Sequence, residues 1–180
     1  MQLGGQRILI DPVFSTYAAP IPEVNKAFEG TSLYTADDIP EIDALLISHD
    51  HYDHLDYPTV QALQPKVRKV IVGLGVGAHF ERWGYDMGVV READWNEVIA
   101  LTPNVRVHVT TARHYSGRTF TRDQSLWVGF ALLSPEQRLF FSVATRVMAR
   151  TLPRSASGWV RSTMSPLMPV STIRAGRTST

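Results

Sequence analysis

Ser48 to Asp56 reads S-H-D-H-Y-D-H-L-D, which gathers three of the six histidines of a 180-residue chain into one short stretch. Within it His49, His51, Asp53 and His54 have the spacing H-x-H-x-D-H. Imidazole nitrogens and carboxylate oxygens at this density are a donor set for Zn²⁺, with Mn²⁺ or Fe²⁺ also suited. The chain has no cysteine, so any metal must be held by nitrogen and oxygen. If His49 and His51 sit at the end of a strand, two residues apart, their rings point the same way. Asp53 and His54 follow one turn later, where the chain bends toward a helix. Two ligand pairs this close predict two ions about 3.5–4 Å apart sharing a hydroxide, the pKa of bound water being lowered to about 7. A surface loop with chance histidines has no reason to follow an apolar strand so directly.

The elements that must position these residues are short. "QRILIDPVF" reads as a buried strand ending in a turn at Asp11-Pro12, and residues 15 to 40, rich in Pro, Ser, Thr and Asp, as a long surface loop. "IDALLIS" is a brief apolar run, best read as a buried strand that delivers the chain into the histidine cluster. "LDYPTVQAL" opens a helix with Asp56 as a candidate N-cap. "KVRKVIVG" is the next strand, "GAHFERWGYD" a short helix, and "VVREAD" and "VRVHVTTARH" alternate like strands. "SLWVGFALLSPEQRLFFS" reads as two strands joined by a turn at S-P-E-Q. Strands interleaved with short helices indicate an α/β sandwich.

These motifs together resemble the metallo-β-lactamase superfamily. "SHDHYDHLD", with "ILIDPVF" upstream and "ARHYSGRTFTRDQSLWVGFAL" downstream, is similar to the branch containing N-acylphosphatidylethanolamine-hydrolysing phospholipase D and bacterial lactonase-like relatives. The resemblance covers about residues 2 to 142 and implies a partial αββα metallo-β-lactamase sandwich. It implies that His49, His51 and His114 hold one metal, and that Asp53, also counted as a catalytic residue, and His54 hold part of a second. Asp11 is either an acid that orients ligands without touching metal or a strand-end turn residue. Ser116, Gly117 and Arg118 either line the substrate mouth or form a turn with a solvated arginine. His108, alternating with Val105, Val107 and Val109, and His79, beside Trp83, read as structural residues. Gly73, Gly75 and Gly77 are spaced G-x-G-x-G, one residue short of a dinucleotide fingerprint, and read as a strand-to-helix turn.

The chain changes character after Ser142. Val143 to Thr180 carries Arg146, Arg150, Arg154, Arg161, Arg174 and Arg177 and no lysine or acidic residue, so the net charge of +1 conceals an acidic remainder. The stretch has neither helical nor strand periodicity. It also lacks what the resemblance leads one to expect there: a Gly-Asp-Thr-Gly-Tyr motif, whose aspartate bridges the two metals, and a final histidine. Reading the third base of each codon with the first two of the next lets synonymous codons beneath "VATRVMAR" spell Gly-Asp-Thr-Gly-Tyr-Gly-Pro. One of those glycines is forced by the single codon of Met148 followed by Ala149. We therefore divide the chain into an incomplete metallo-β-lactamase-like domain, 1–142, and a basic tail, 143–180, that is either translated out of frame or an ordinary disordered extension. A strand carrying a Gly-His-Ser/Thr motif, usual in the family before "QLGGQRILIDP", is expected to be missing as well.

The expectation for function is a metal-dependent hydrolase of an ester, lactone or phosphodiester, attacking with a metal-bound hydroxide and impaired in this chain, with one tightly held ion at most. The alternative is a non-catalytic remnant or a binding module using the tail. Small-molecule or lipid-like substrates are expected. Specific nucleic-acid binding is not, since the arginines are accompanied by one aromatic, Trp159. An apolar fraction of 44% supports a core, and no window reaches the ~18 apolar residues of a membrane span. Without a readable secretory leader, a cytoplasmic location is expected. Substrate identity and oligomeric state are not legible.

Overall fold

Ala44 to Ile47 are all buried, and this one short strand organises the molecule. The computed structural model describes residues 1–21, 25–30, 33–118 and 120–141. In it, β1 (Gln2–Leu3), β2 (Gln6–Ile10), β3 (Ala44–Ile47), β4 (Val70–Gly73) and β5 (Val90–Ala93) form a sheet in that order. β2 to β5 run parallel, with Leu9 opposite Leu45 and Leu45 opposite Val70, while β1 adds an antiparallel edge. A strand covered on both faces should be apolar throughout rather than alternating, as β3 and β4 are. Ala44 and Leu46 face the inter-sheet core, whereas Leu45 and Ile47 face α1 (Tyr57–Leu63) and α2 (Gly77–Arg82), which supply Val60 and Phe80.

The second sheet is antiparallel: β6 (Val98–Thr102), β7 (Val105–Thr111), β8 (Val128–Leu133) and β9 (Arg138–Phe141). Val105, Val107 and Val109 of β7 point into the core, while Arg106, His108 and Thr110 form the opposite set. His108 is thus a strand residue, as its alternation indicated. Phe130, Leu132 and Leu139 complete the inter-sheet core against Leu3, Ile8 and Ile71. The result is the expected partial αββα sandwich, the described residues forming its helix–sheet–sheet part. Among the described residues both α-helices cover the first sheet and none covers the second. The basic tail, with its proposed reading-frame break, lies outside the described residues.

Asp56 caps α1: its side chain accepts from the Thr59 amide at 3.3 Å and from the Thr59 hydroxyl, and also from Ser15 Oγ at 2.8 Å. The glycine run after β4 serves close packing. A Cβ on Gly73 would sit 2.4 Å from the Leu126 carbonyl oxygen, and Gly75 has φ +82° with its would-be Cβ 2.9 Å from the Gln124 carbonyl oxygen. The amide of Gly77, at the start of α2, donates to Glu92 Oε1 at 2.8 Å, so a side chain of the protein occupies that helix end. These contacts give each glycine a packing reason.

Two strands escaped the sequence reading. β1 is only two residues long, and β6 is a partly exposed strand whose apolar residues do not alternate cleanly.

Candidate metal centre

β3 ends at Ile47, so His49 and His51 lie beyond the strand rather than on it. Their convergence comes from a loop. The His51 carbonyl accepts from the amides of His54 and Leu55 at 3.0 and 2.8 Å, turning the chain immediately. The third imidazole arrives from the other sheet. Two backbone bonds stitch the sheets together at the carboxyl ends of β3 and β4: Val128 N to Ser48 O at 2.8 Å, and Leu126 N to Leu74 O at 2.7 Å. They hold the connection between β7 and β8 over the histidine loop, and His114 lies on that connection.

The three rings meet at one point. His49 Nε2 lies 2.8 Å from His51 Nδ1 and 2.9 Å from His114 Nε2, and His114 Nε2 lies 3.2 Å from His51 Nδ1. This triangle cannot be satisfied by protons alone. A ring nitrogen offers either one N–H or one lone pair, so among three mutually adjacent nitrogens at least one pair has like character. A cation removes the conflict by meeting three lone pairs. A tetrahedral Zn²⁺ site with bonds of about 2.0–2.1 Å separates its nitrogens by about 3.3 Å, a few tenths of an ångström wider than observed. The donor set therefore fits a divalent ion.

Protons elsewhere on the rings are assigned by Asp11, a fully buried carboxylate at φ +44°. It accepts from the Ser48 amide at 2.7 Å, from Ser48 Oγ at 2.5 Å and from His54 Nδ1 at 2.9 Å. Ser48 has one hydroxyl proton, and Asp11 takes it. Ser48 Oγ, 2.9 Å from His49 Nδ1, must then accept from that nitrogen. The proton of His49 is thus on Nδ1 and its lone pair on Nε2, facing the triangle. His54 likewise donates to Asp11 through Nδ1, which leaves a lone pair on Nε2 whenever the ring is neutral. One carboxylate thus sets the donor nitrogen of two rings, a geometry that fits an orienting acid, while its place just after β2 also makes it the strand-end turn residue.

Electrostatics agree. Burial, followed by the neighbouring imidazoles, drives His49 far below the usual histidine range. His51 is lowered chiefly by burial, with Asp53 and Asp50 opposing, and His114 is lowered by burial and then by His51 and His54. Neutral imidazoles are what a metal requires. His54 is the exception: burial works against its charge, but the hydrogen bond and charge of Asp11 outweigh it and raise its pKa.

Asp53 and His54 lie outside the three-nitrogen cluster. The His54 ring stands 4.2 Å from that of His49, centroid to centroid. Asp53 is exposed, yet its charge raises the proton affinity of His51, His54 and His114 alike. Ser116, Gly117 and Arg118 are built into the protein rather than solvated. Ser116 Oγ, fully buried, accepts from the Ser125 amide, and the Gly117 amide donates to Asp50 Oδ1 at 2.7 Å. His79 faces the same Asp50 carboxylate at 3.7 Å. Sequence reasoning passed over Ser48, Asp50 and Tyr115, whose ring lies 4.5 Å from that of His51. Ser48 and Asp50 had a signal, since they continue a fully buried apolar run.

Comparison with known proteins agrees with this geometry. Residues 6–171 match the family model described as the β-lactamase superfamily domain. An uncharacterized protein of Mycobacterium tuberculosis is 39% identical over 134 residues, covering 74% of this chain and 36% of that protein. The mitochondrial N-acyl-phosphatidylethanolamine-hydrolyzing phospholipase D of Saccharomyces cerevisiae is 31% identical over 138 residues, covering 71% of this chain and 28% of the relative. The chain thus spans about a third of the length of these relatives. Among solved structures, CmlA, a diiron β-hydroxylase from Streptomyces venezuelae, shares the fold at TM-score 0.56 and 24% identity, over 76% of this chain and 26% of that one. The family match, together with a histidine triad assembled across two sheets, shows that this chain belongs to the β-lactamase superfamily.

Proposed function

We propose that the chain is a metal-dependent hydrolase in which His49, His51 and His114 hold a divalent ion, with Zn²⁺ the first choice and Mn²⁺ or Fe²⁺ alternatives. The observation that carries this reading is the convergence of three ring nitrogens, two of them from the histidine loop and one from the opposite sheet. When bound, such an ion acidifies a coordinated water and polarises a carbonyl or phosphoryl oxygen. The protein's part is to keep three neutral imidazoles aimed at one point. Asp11 and Ser48 do this for His49, and burial keeps all three unprotonated. Asp53 is proposed as a proton acceptor at the exposed side of the cluster and, with His54, as a partial donor set for a second ion. Its support is the reach of its charge to three of the imidazoles. Two protein ligands are too few for a tight second site, so one strongly held ion is expected.

The substrate class proposed is an ester, lactone or phosphodiester of a small or lipid-like molecule, in keeping with the yeast relative's name. None of the described helices is long and apolar enough to cross a membrane. The test is metal analysis of the purified full chain, followed by hydrolysis assays on the three substrate classes with wild type and His51→Ala. One ion per chain and a hydrolytic rate lost in His51→Ala are expected. A wild-type chain that takes up no divalent ion refutes the reading. One that binds an ion but turns over none of the three classes favours a binding module over an enzyme.

A further inference from the structure

Arg118, four residues after His114, has an environment unlike that of a solvated cation. Its Nη1 donates to two backbone carbonyls, Asp50 at 3.0 Å and Leu55 at 2.5 Å. These residues bracket His51, Asp53 and His54. The guanidinium carbon lies 4.2 Å from the Tyr52 ring centre and 5.3 Å from that of Trp83. Tyr52 returns a hydrogen bond from its hydroxyl to the Arg118 carbonyl at 2.6 Å. Next in the chain, the Gly117 amide holds the Asp50 carboxylate. The histidine loop and the His114 connection are thus joined by four hydrogen bonds centred on two adjacent residues.

A tight loop leaves carbonyls that cannot pair with each other, and a buried unpaired carbonyl is costly. The His51 carbonyl is met by the amides of His54 and Leu55. The carbonyls of Asp50 and Leu55 are met by Arg118. One planar NH₂ group carries two N–H bonds splayed apart, so a single guanidinium nitrogen can bridge two carbonyls while its face stacks on an aromatic ring. A lysine ammonium has the charge but neither the plane nor the fixed fork. A different arginine, Arg122, lies over Tyr115 at 5.3 Å and is exposed, which leaves Arg118 committed to the loop.

We infer that Arg118 is the positioning residue of this metal centre. Bridging the carbonyls of Asp50 and Leu55, it fixes the loop that carries His51, Asp53 and His54 and ties it to the segment carrying His114. The inference rests on the metal reading above, so its test measures ion binding directly. Co²⁺, whose visible absorption reports ligand geometry, is titrated into the full chain as wild type, Arg118→Ala, Arg118→Lys and Tyr52→Phe. Circular dichroism and urea midpoints of the ion-free proteins are recorded in parallel.

Arg118→Ala is expected to keep its fold and bind Co²⁺ about 10–100-fold more weakly, with altered band intensity. Arg118→Lys should fall between it and wild type, and Tyr52→Phe should shift affinity least. Added methylguanidinium should restore part of the Arg118→Ala loss by bridging the Asp50 and Leu55 carbonyls again. The inference is overturned if folded Arg118→Ala has wild-type band shape and affinity within about threefold. If Arg118→Ala does not fold, Arg118→Lys decides: weakened binding with changed bands supports the role, and a wild-type titration overturns it. Wild type showing no Co²⁺ bands removes the metal reading and the positioning role together. That result is distinct from bands shared equally by all four proteins, which removes only the role of Arg118.

Discussion

Asp11→Asn is the sharpest probe of the orienting network. Asparagine is the residue most at home at positive φ after glycine, so the +44° backbone of position 11 is tolerated and the substitution isolates the carboxylate. Its amide oxygen can keep the Ser48 amide, but its NH₂ then faces Ser48 Oγ and His54 Nδ1, both of which now donate to the carboxylate. Hydrogen bonds to charged groups contribute about 1.5–3 kcal/mol each, and two are lost. Some of this returns if the serine hydroxyl rotates and His54 changes tautomer, so a destabilisation of about 2–4 kcal/mol is expected. Either adjustment spoils the site. A rotated Ser48 no longer requires the proton of His49 on Nδ1, and a His54 flipped to its other tautomer loses the lone pair on Nε2. Metal affinity should fall about 10–100-fold. The pH dependence has a definite sign. The folded-state pKa of His54 is raised, so its stabilisation is fully present below the unfolded value of about 6.5 and is lost as pH rises through the folded value. The stability deficit of Asp11→Asn should therefore be larger near pH 6 than in mildly alkaline buffer. Urea melts of the ion-free protein and Zn²⁺ competition titrations measure both quantities. A variant matching wild type in both would refute the tautomer argument.

Three further outcomes are expected. Gly73→Ala forces a Cβ onto the Leu126 carbonyl, a backbone atom 2.4 Å away, so it should destabilise by about 1–3 kcal/mol or more in thermal melts. The ion-free chain should lose stability as pH falls below about 6.5, because the unfolded chain protonates His49 first while the folded state holds it neutral; His51 and His114 act in the same sense, His54 opposes them, and His49→Gln should flatten the slope in urea midpoints. The coding DNA beneath "VATRVMAR" should spell Gly-Asp-Thr-Gly-Tyr when shifted by one reading frame; codons incompatible with that motif would leave the tail as an ordinary basic extension.

Much of the first sheet was legible because its strands are buried on both faces. Runs such as A-L-L-I and V-I-V-G are apolar throughout, and Asp56 followed by Pro58 announces α1 by capping chemistry. His49 and His51 were legible as a pair, although a turn rather than a strand end brings their rings together. What local pattern cannot show is long-range pairing. Arg118 acts through Leu55 and Asp50, 63 and 68 residues earlier, and Asp11 reaches Ser48 across 37 residues. Neither is distinguishable in sequence from an exposed arginine or a turn aspartate. β6 was missed because its apolar residues fall at exposed and half-buried positions alike, so neither period is clean.

The two backbone bonds joining Ser48 to Val128 and Leu74 to Leu126 have a thermodynamic corollary. His49 and His51 belong to one half of the sandwich and His114 to the other, so an ion held by all three is a fastener between halves. Its affinity becomes a gauge of how completely the layers have docked. By mass action, ion at one hundred times its dissociation constant adds about 2.7 kcal/mol to the native state, a gain available only to a chain whose two sheets have already met.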